Sequence, residues 1–233
     1  MTEALFQDNA DLRACDATVI ESSPDGIVLD RTVFYPLGGG QPGDSGTLTC
    51  AAGETRIEAT RYRRDDGEIL HIPAEGSLLP ETGIQVEAKI DWDRRHRHMR
   101  MHTCLHLLGA VLEYPVTGGQ VGAEKSRLDF DMPDSPDKAE VTAELNALIK
   151  AGHPVQSRWI DEADLDPALI RTMSVKPPSG VGRIRLLEIP GVDLQPCGGT
   201  HVKSTDEIGP VEVTKVEKKG RQNRRVHVVL AGN

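Results

Sequence analysis

Residues 84–115 read IQVEAKIDWDRRHRHMRMHTCLHLLGAVLEYP, and a change of period inside this stretch decides the fold. From Ile84 to Ile90 apolar and polar residues alternate, the two-residue period of a strand with one buried face. At Asp91 the alternation stops. A helix can start from Asp93, with Met101, Leu105, Leu108 and Leu112 recurring at helical intervals until Pro115 must end it. Two kinds of structure therefore meet here, and the expected organisation is two domains, residues 1–91 and 92–233.

Upstream of the boundary, short alternating runs occur at Thr18 to Ile20, Ile27 to Leu29, Thr47 to Cys50, Arg56 to Tyr62 and Glu68 to Ile72. Turn signals such as Asp25-Gly26 and Asp66-Gly67 separate them, a pattern that predicts a small β-barrel. Downstream, Ser135-Pro136 announces a second helix as a cap followed by a proline in the first turn. Val141, Leu145, Leu148 and Ile149 form its stripe, and Gly152 and Pro154 close it. Further strands are expected at Arg127 to Phe130, Val155 to Ile160, Ile184 to Ile189, Val211 to Val216 and Val226 to Leu230. The fold class is α+β: an N-terminal barrel, then helices packed on a mostly antiparallel sheet.

Composition narrows the function. The chain has 38% hydrophobic residues but only 3% aromatic ones, so its cores must rest on Val, Ile, Leu and Ala. No run reaches the length of a membrane span, and residues 1–15 are acidic and polar where a signal peptide would be basic and then apolar. The expected location is the cytosol. Cys15, Cys50, Cys104 and Cys197 are too dispersed for a disulfide scaffold, so a special cysteine here is a ligand rather than a bridge. A net charge of −9 argues against indiscriminate coating of nucleic acid and against a DNA partner. The basic residues are nonetheless clustered, with Arg94, Arg95, Arg97 and Arg100 in one group and Lys215, Lys218, Lys219, Arg221, Arg224 and Arg225 in another. On charge alone these are solvated faces; beside a reactive site they would bind phosphates.

The chemistry lies in two pairs. His102-Thr-Cys-Leu-His106 sets two imidazoles one helical turn apart on one face. Cys197-Gly-Gly-Thr-His201 puts a thiolate and a third imidazole around two glycines, which are expected to fold the backbone tightly enough for both to converge. One sulfur and three nitrogens make a reasonable tetrahedral zinc set, one ion per chain. Four protein ligands suit a structural zinc as well as a catalytic one, and composition leaves both open. Cys104 points about 200° from His102 on the helical wheel and belongs to the core. His98, one turn before His102, is expected on phosphate or solvent and is also a possible extra ligand.

Together with Phe34-Tyr-Pro-Leu-Gly-Gly-Gly-Gln-Pro-Gly-Asp44 and Ser126-Arg-Leu-Asp-Phe130, these pairs resemble the freestanding alanyl-tRNA editing proteins of medium length, which are similar to the editing part of alanyl-tRNA synthetase. The resemblance implies hydrolysis of the ester of mischarged tRNA(Ala), chiefly Ser-tRNA(Ala), with Gly or Ala as further amino acids. It implies His102, His106, Cys197 and His201 as zinc ligands, and Gly38, Gly39 and Gly40 as residues that help place the tRNA acceptor end. The chain has no room for an adenylation domain, so it is not expected to act as a synthetase. Read without the family, the glycine segment is a wide turn between strands, and it lacks the Gly-Lys-Ser/Thr of a phosphate loop.

Gln120 is the candidate for orienting water or substrate from a loop after the metal helix; the alternative is a glutamine facing solvent. Thr117 is the candidate partner of a seryl hydroxyl. Arg94, Arg95, Arg97, Lys218 and Lys219 are the candidate tRNA-phosphate contacts. The competing functions are deacylation of Ser-tRNA(Thr), hydrolysis of a small amino-acid ester or peptide, and RNA binding by a structural-zinc module. The oligomeric state is left open by the sequence.

Overall fold

Val86, Ala88 and Ile90 are buried while Gln85, Glu87 and Lys89 are exposed, and the same alternation places Thr55 and Ile57 inside between exposed Glu54, Arg56 and Glu58, whereas residues 26–29 are buried throughout. In the computed structural model, which describes residues 1–173, 180 and 182–231, the chain divides into two compact units, Met1–His96 and Arg97–Asn233. The first unit contains β1 (Glu3–Ala4), β2 (Ala14–Ser23), β3 (Gly26–Leu29), β4 (Arg31–Thr32), β5 (Gly46–Cys50), β6 (Gly53–Tyr62), β7 (Ile69–Pro73) and β8 (Gln85–Ile90). Six of them close an antiparallel barrel in the order β2-β3-β7-β6-β5-β8, with β8 returning to β2. Closure removes the free edges, and Ala17, Val19, Ile27, Leu29, Leu48, Ile57 and Val86 fill the interior with few aromatics.

The glycine-rich segment is tighter than a wide turn. Gly38 and Gln41 exchange both backbone hydrogen bonds (3.2 and 2.9 Å) around Gly39 and Gly40, whose φ values of 55° and 81° favour glycine. Gly43 is required for a different reason: a Cβ there would lie 1.9 Å from the Thr60 carbonyl oxygen. Asp44 ends the motif buried, its carboxylate accepting from the Tyr35 amide (2.7 Å) and from Arg95.

Helix α1 (Trp92–Leu112) is buried on every side from Met101 to Gly109 rather than along one stripe. It is followed by β9 (Val116–Gln120), β10 (Lys125–Asp131), α2 (Lys138–Lys150), β11 (Gln156–Asp161), β12 (Arg183–Ile189), β13 (Asp193–Pro196), β14 (Val211–Gly220) and β15 (Asn223–Leu230). The order β14-β15-β10-β9 forms one antiparallel sheet and β11-β12-β13 a second. With two α-helices among the described residues the fold is α+β and mostly antiparallel. Helix α2 packs on β14, where the Asn146 side chain exchanges two hydrogen bonds with the Val211 backbone (2.8 and 3.0 Å).

Two local expectations are corrected. The cap of α2 is Asp137, whose carboxylate accepts from the Ala139 and Glu140 amides, so Ser135 and Pro136 lie outside the helix. Thr117 to Gln120 belong to a strand and not a loop, because β10 supplies the partners that Gly118 and Gly119 lack by propensity. Among the described residues no helix is long and apolar enough to cross a membrane.

Candidate metal centre

Within the second unit, the helical spacing of His102 and His106 brings their ring centroids to 5.3 Å, and His201 lies 4.3 Å from the first and 4.9 Å from the second. Cys197 Sγ is 3.2 Å from His201 Nε2 and 3.7 Å from His102 Nε2. One ligand atom from each of the four residues lies within 4.8 Å of the others. In a tetrahedral zinc site neighbouring ligand atoms stand about 3.3–3.8 Å apart, so a small inward adjustment suffices.

Left-handed glycine backbone does not make the convergence. Neither Gly198 nor Gly199 has a positive φ, and a Cβ on Gly198 would meet nothing within 4 Å. The segment is held instead by Arg185 on β12, whose Nη1 donates to the carbonyls of Cys197 (3.0 Å) and Gly199 (2.9 Å). Two of the three imidazoles, His106 and His201, are oriented through their other nitrogen. Asp193, buried on β13, accepts from His106 Nδ1 (2.8 Å) and from Gln195 Nε2 (2.8 Å) on the same oxygen. Thr103 donates its hydroxyl proton to Met99 O (3.0 Å), so its oxygen accepts from His201 Nδ1 (3.2 Å). Both contacts leave Nε2 of the ring free for the centre, the usual arrangement behind a metal-bound histidine.

The electrostatics suit a cation. Burial opposes ionisation of Cys197, but the imidazoles of His102 and His201 hold its pKa well below the ordinary thiol value. Burial and the nearby His102 hold His201 well below the ordinary histidine value, keeping it neutral. Burial lowers His106, yet its bond to Asp193 and the Cys197 thiolate push it up to about 10. A buried thiolate facing three imidazoles is the environment a divalent ion would take over, and the donor set fits zinc. Cys104, buried at 0% exposure and pushed up to about 12 by desolvation, stays a core thiol.

Other candidates fare differently. His98 is 3% exposed and stands outside the four-ligand group, so it is neither a ligand there nor a solvent contact. Arg95 is fully buried: Asp44 takes its Nε and Nη2, and the carbonyls of Val33 and Ala10 take further donors, leaving no guanidinium face for a phosphate. Arg94 donates to Gly43 O (2.6 Å), while Arg97, Lys218 and Lys219 are exposed. Thr117 Oγ1 accepts from Asn223 Nδ2 (2.9 Å), and Gln120 is exposed at the end of β9. Gly38, Gly39 and Gly40 belong to the first unit, with Gly39 and Gly40 exposed. Sequence reasoning missed Asp193, Thr103 and Arg185. Nothing local marks them, since the groups they position (His106, His201 and the backbone of residues 197–199) lie on other elements.

Comparison with known proteins adds lineage. The family described as the second additional domain of threonyl and alanyl tRNA synthetases matches residues 184–227, and class II (A) tRNA synthetases match residues 3–94. The alanyl-tRNA editing protein AlaX-M of Methanosarcina acetivorans is 37% identical, with 99% of each chain covered. That of Saccharolobus solfataricus is also 37% identical with 99% of each covered. Alanine–tRNA ligase of Halorubrum lacusprofundi is 37% identical over 93% of this chain but only 24% of its own length. Matched from end to end at this identity, the chain belongs to the alanyl-tRNA editing proteins of the AlaX-M type.

Proposed function

We propose that this protein hydrolyses the ester joining a wrong amino acid, chiefly serine, to tRNA(Ala), with one zinc ion on His102, His106, Cys197 and His201. The observation that carries the reading is the convergence of those four ligand atoms in a member of the editing family. When bound, zinc supplies a positive centre that can polarise an ester carbonyl, acidify water or anchor the substrate. An aminoacyl ester is already activated, so the protein's own task is to hold it, orient water and stabilise the developing oxyanion.

Thr117 is the proposed reader of serine. Because its oxygen accepts from Asn223, the hydroxyl proton is directed elsewhere and can be donated to a seryl oxygen. Gln120 is the proposed group for orienting water. Gly38, Gly39 and Gly40 are proposed to contact the acceptor end, where exposed backbone without Cβ permits close approach. We propose residues 1–91 as the barrel domain and 92–233 as the editing domain.

Deacylation of Ser-tRNA(Ala), Gly-tRNA(Ala), Ser-tRNA(Thr) and a free seryl ester tests the reading. Preference for Ser-tRNA(Ala) is expected. Thr117→Val keeps volume but removes the hydroxyl, and should lower the Ser-tRNA(Ala) rate about threefold to tenfold, the worth of one neutral hydrogen bond, while sparing Gly-tRNA(Ala). Preference for Ser-tRNA(Thr), or zinc binding without hydrolysis of any substrate, would overturn the assignment.

A further inference from the structure

The motif Ser126-Arg-Leu-Asp-Phe130 has no part in the metal centre, yet its alternate residues do two separate jobs. Leu128 and Phe130 are buried in the core, and Ser126 pins the preceding turn through both backbone groups of Gly122 (3.0 and 3.2 Å). Arg127 and Asp129 point to the opposite face of β10. There the Asp129 carboxylate accepts a fork from Arg225 (Nε to Oδ1 and Nη2 to Oδ2, both 2.8 Å) and a third bond from Arg127 Nη1 (2.8 Å). Two guanidiniums on one carboxylate leave a net positive charge and several N–H donors uncommitted. Both arginine side chains remain about a quarter exposed, at 25% and 23%.

The edge strand β9 completes the feature. Across from Asp129 stands Gly118, and across from Arg127 stands Gln120. With no side chain at 118, the sheet edge has a notch whose wall is the Arg127–Asp129–Arg225 triad. The three atoms nearest a Cβ at Gly118 all belong to Asp129, the first at 3.5 Å, an ordinary van der Waals contact, so the folded chain itself does not demand the glycine. The strand is also tied to the metal centre: Val116 donates its amide to Arg171 O (2.9 Å), and Arg171 Nε stands 3.6 Å from Asp193, the partner of His106.

We propose that this notch binds a phosphodiester group of the RNA substrate, held by Arg127 and Arg225 in an orientation fixed by Asp129. The inference rests on the editing function proposed above and adds the anion contact for that substrate. Asp129 acts as a positioning residue, fixing two long side chains before the ligand arrives. Glu217 is the cross-strand neighbour of Arg225, and its carboxylate is already engaged by Lys215 (2.5 Å) and His227 (3.0 Å).

Steady-state deacylation of Ser-tRNA(Ala) by the zinc-loaded protein tests this with three variants. Arg127→Gln should raise KM about tenfold to a hundredfold, the range for a hydrogen bond to a charged group, with the effect falling on KM rather than kcat. Arg127→Lys should restore the salt dependence of binding but recover KM only in part, because it keeps the charge and loses the fork. Gly118→Ala, which the fold accommodates, should also raise KM without lowering the thermal midpoint. Unchanged KM and unchanged salt slope in both Arg127→Gln and Gly118→Ala would overturn the proposal. Should the wild-type protein fail to deacylate any tRNA, the editing reading falls, and binding of uncharged tRNA to the same variants still decides the notch: weaker binding supports it and equal binding overturns it.

Discussion

Asp193 and Thr103 bond the Nδ1 atoms of His106 and His201, so the candidate ligand set that two short spacings announce depends on contacts those spacings do not contain. Asp193→Asn keeps an acceptor for His106 Nδ1 but removes the charge behind the ring. Zinc affinity should fall about 10- to 100-fold, the usual effect of losing such a partner, and competition with a chromophoric chelator would measure it. Unchanged affinity, with the fold intact by thermal denaturation, would show that Asp193 serves only packing. The quartet was legible because each pair is local: His102 and His106, like Cys197 and His201, stand four positions apart. Asp193 was not, because it meets His106 across 87 residues of chain, and one sequence carries no trace of that meeting. The same blindness hid Asp44, the buried partner that turns Arg95 from an apparent phosphate contact into an internal ion pair.

At the scale of elements, period and turn chemistry located the barrel strands and both helices, since each buries one face or core segment in register with its side-chain period. They failed where tertiary partners decide. Strand β9 contains Gly118 and Gly119, which read as a loop, and exists because β10 pairs with it. The start of α2 failed by choice of cap: Ser135 followed by proline looked sufficient, but Asp137 accepts two amides at 2.8 and 3.0 Å. Asp137→Ala should therefore cost about 1 kcal/mol in urea denaturation of the protein, whereas Ser135→Ala should cost nothing measurable. Equal losses from the two substitutions would return the cap to Ser135. Helix α1 marks the other limit of periodicity, because a segment buried on all sides has no polar face to reveal its phase.

The whole molecule carries a charge of −9, so the proposed attraction to a polyanionic RNA would have to come from the few basic groups that the fold leaves uncommitted. The structure sorts the two clusters. Arg95 is spent on Asp44, Arg100 donates to Ile208 O, and Arg224 is buried against backbone carbonyls. Lys215 is held by Glu217, while Arg97, Lys218 and Lys219 are exposed. Binding of tRNA should accordingly weaken as salt rises. Each phosphate contact contributes about 0.9 to the slope of log K against log salt on a duplex and about 0.7 on a single strand, so neutralising Arg97, Lys218 and Lys219 to Gln should flatten that slope by about two to three. Arg95→Gln should behave in the opposite way. Removing it strands the buried Asp44 carboxylate and should lower stability by about 3–5 kcal/mol, while the molecules that remain folded keep the wild-type slope. Titrations over a range of salt, paired with denaturant unfolding of each variant, separate the two effects. A triple variant that keeps the full slope would make those three residues a solvated face and move the RNA contacts elsewhere on the surface.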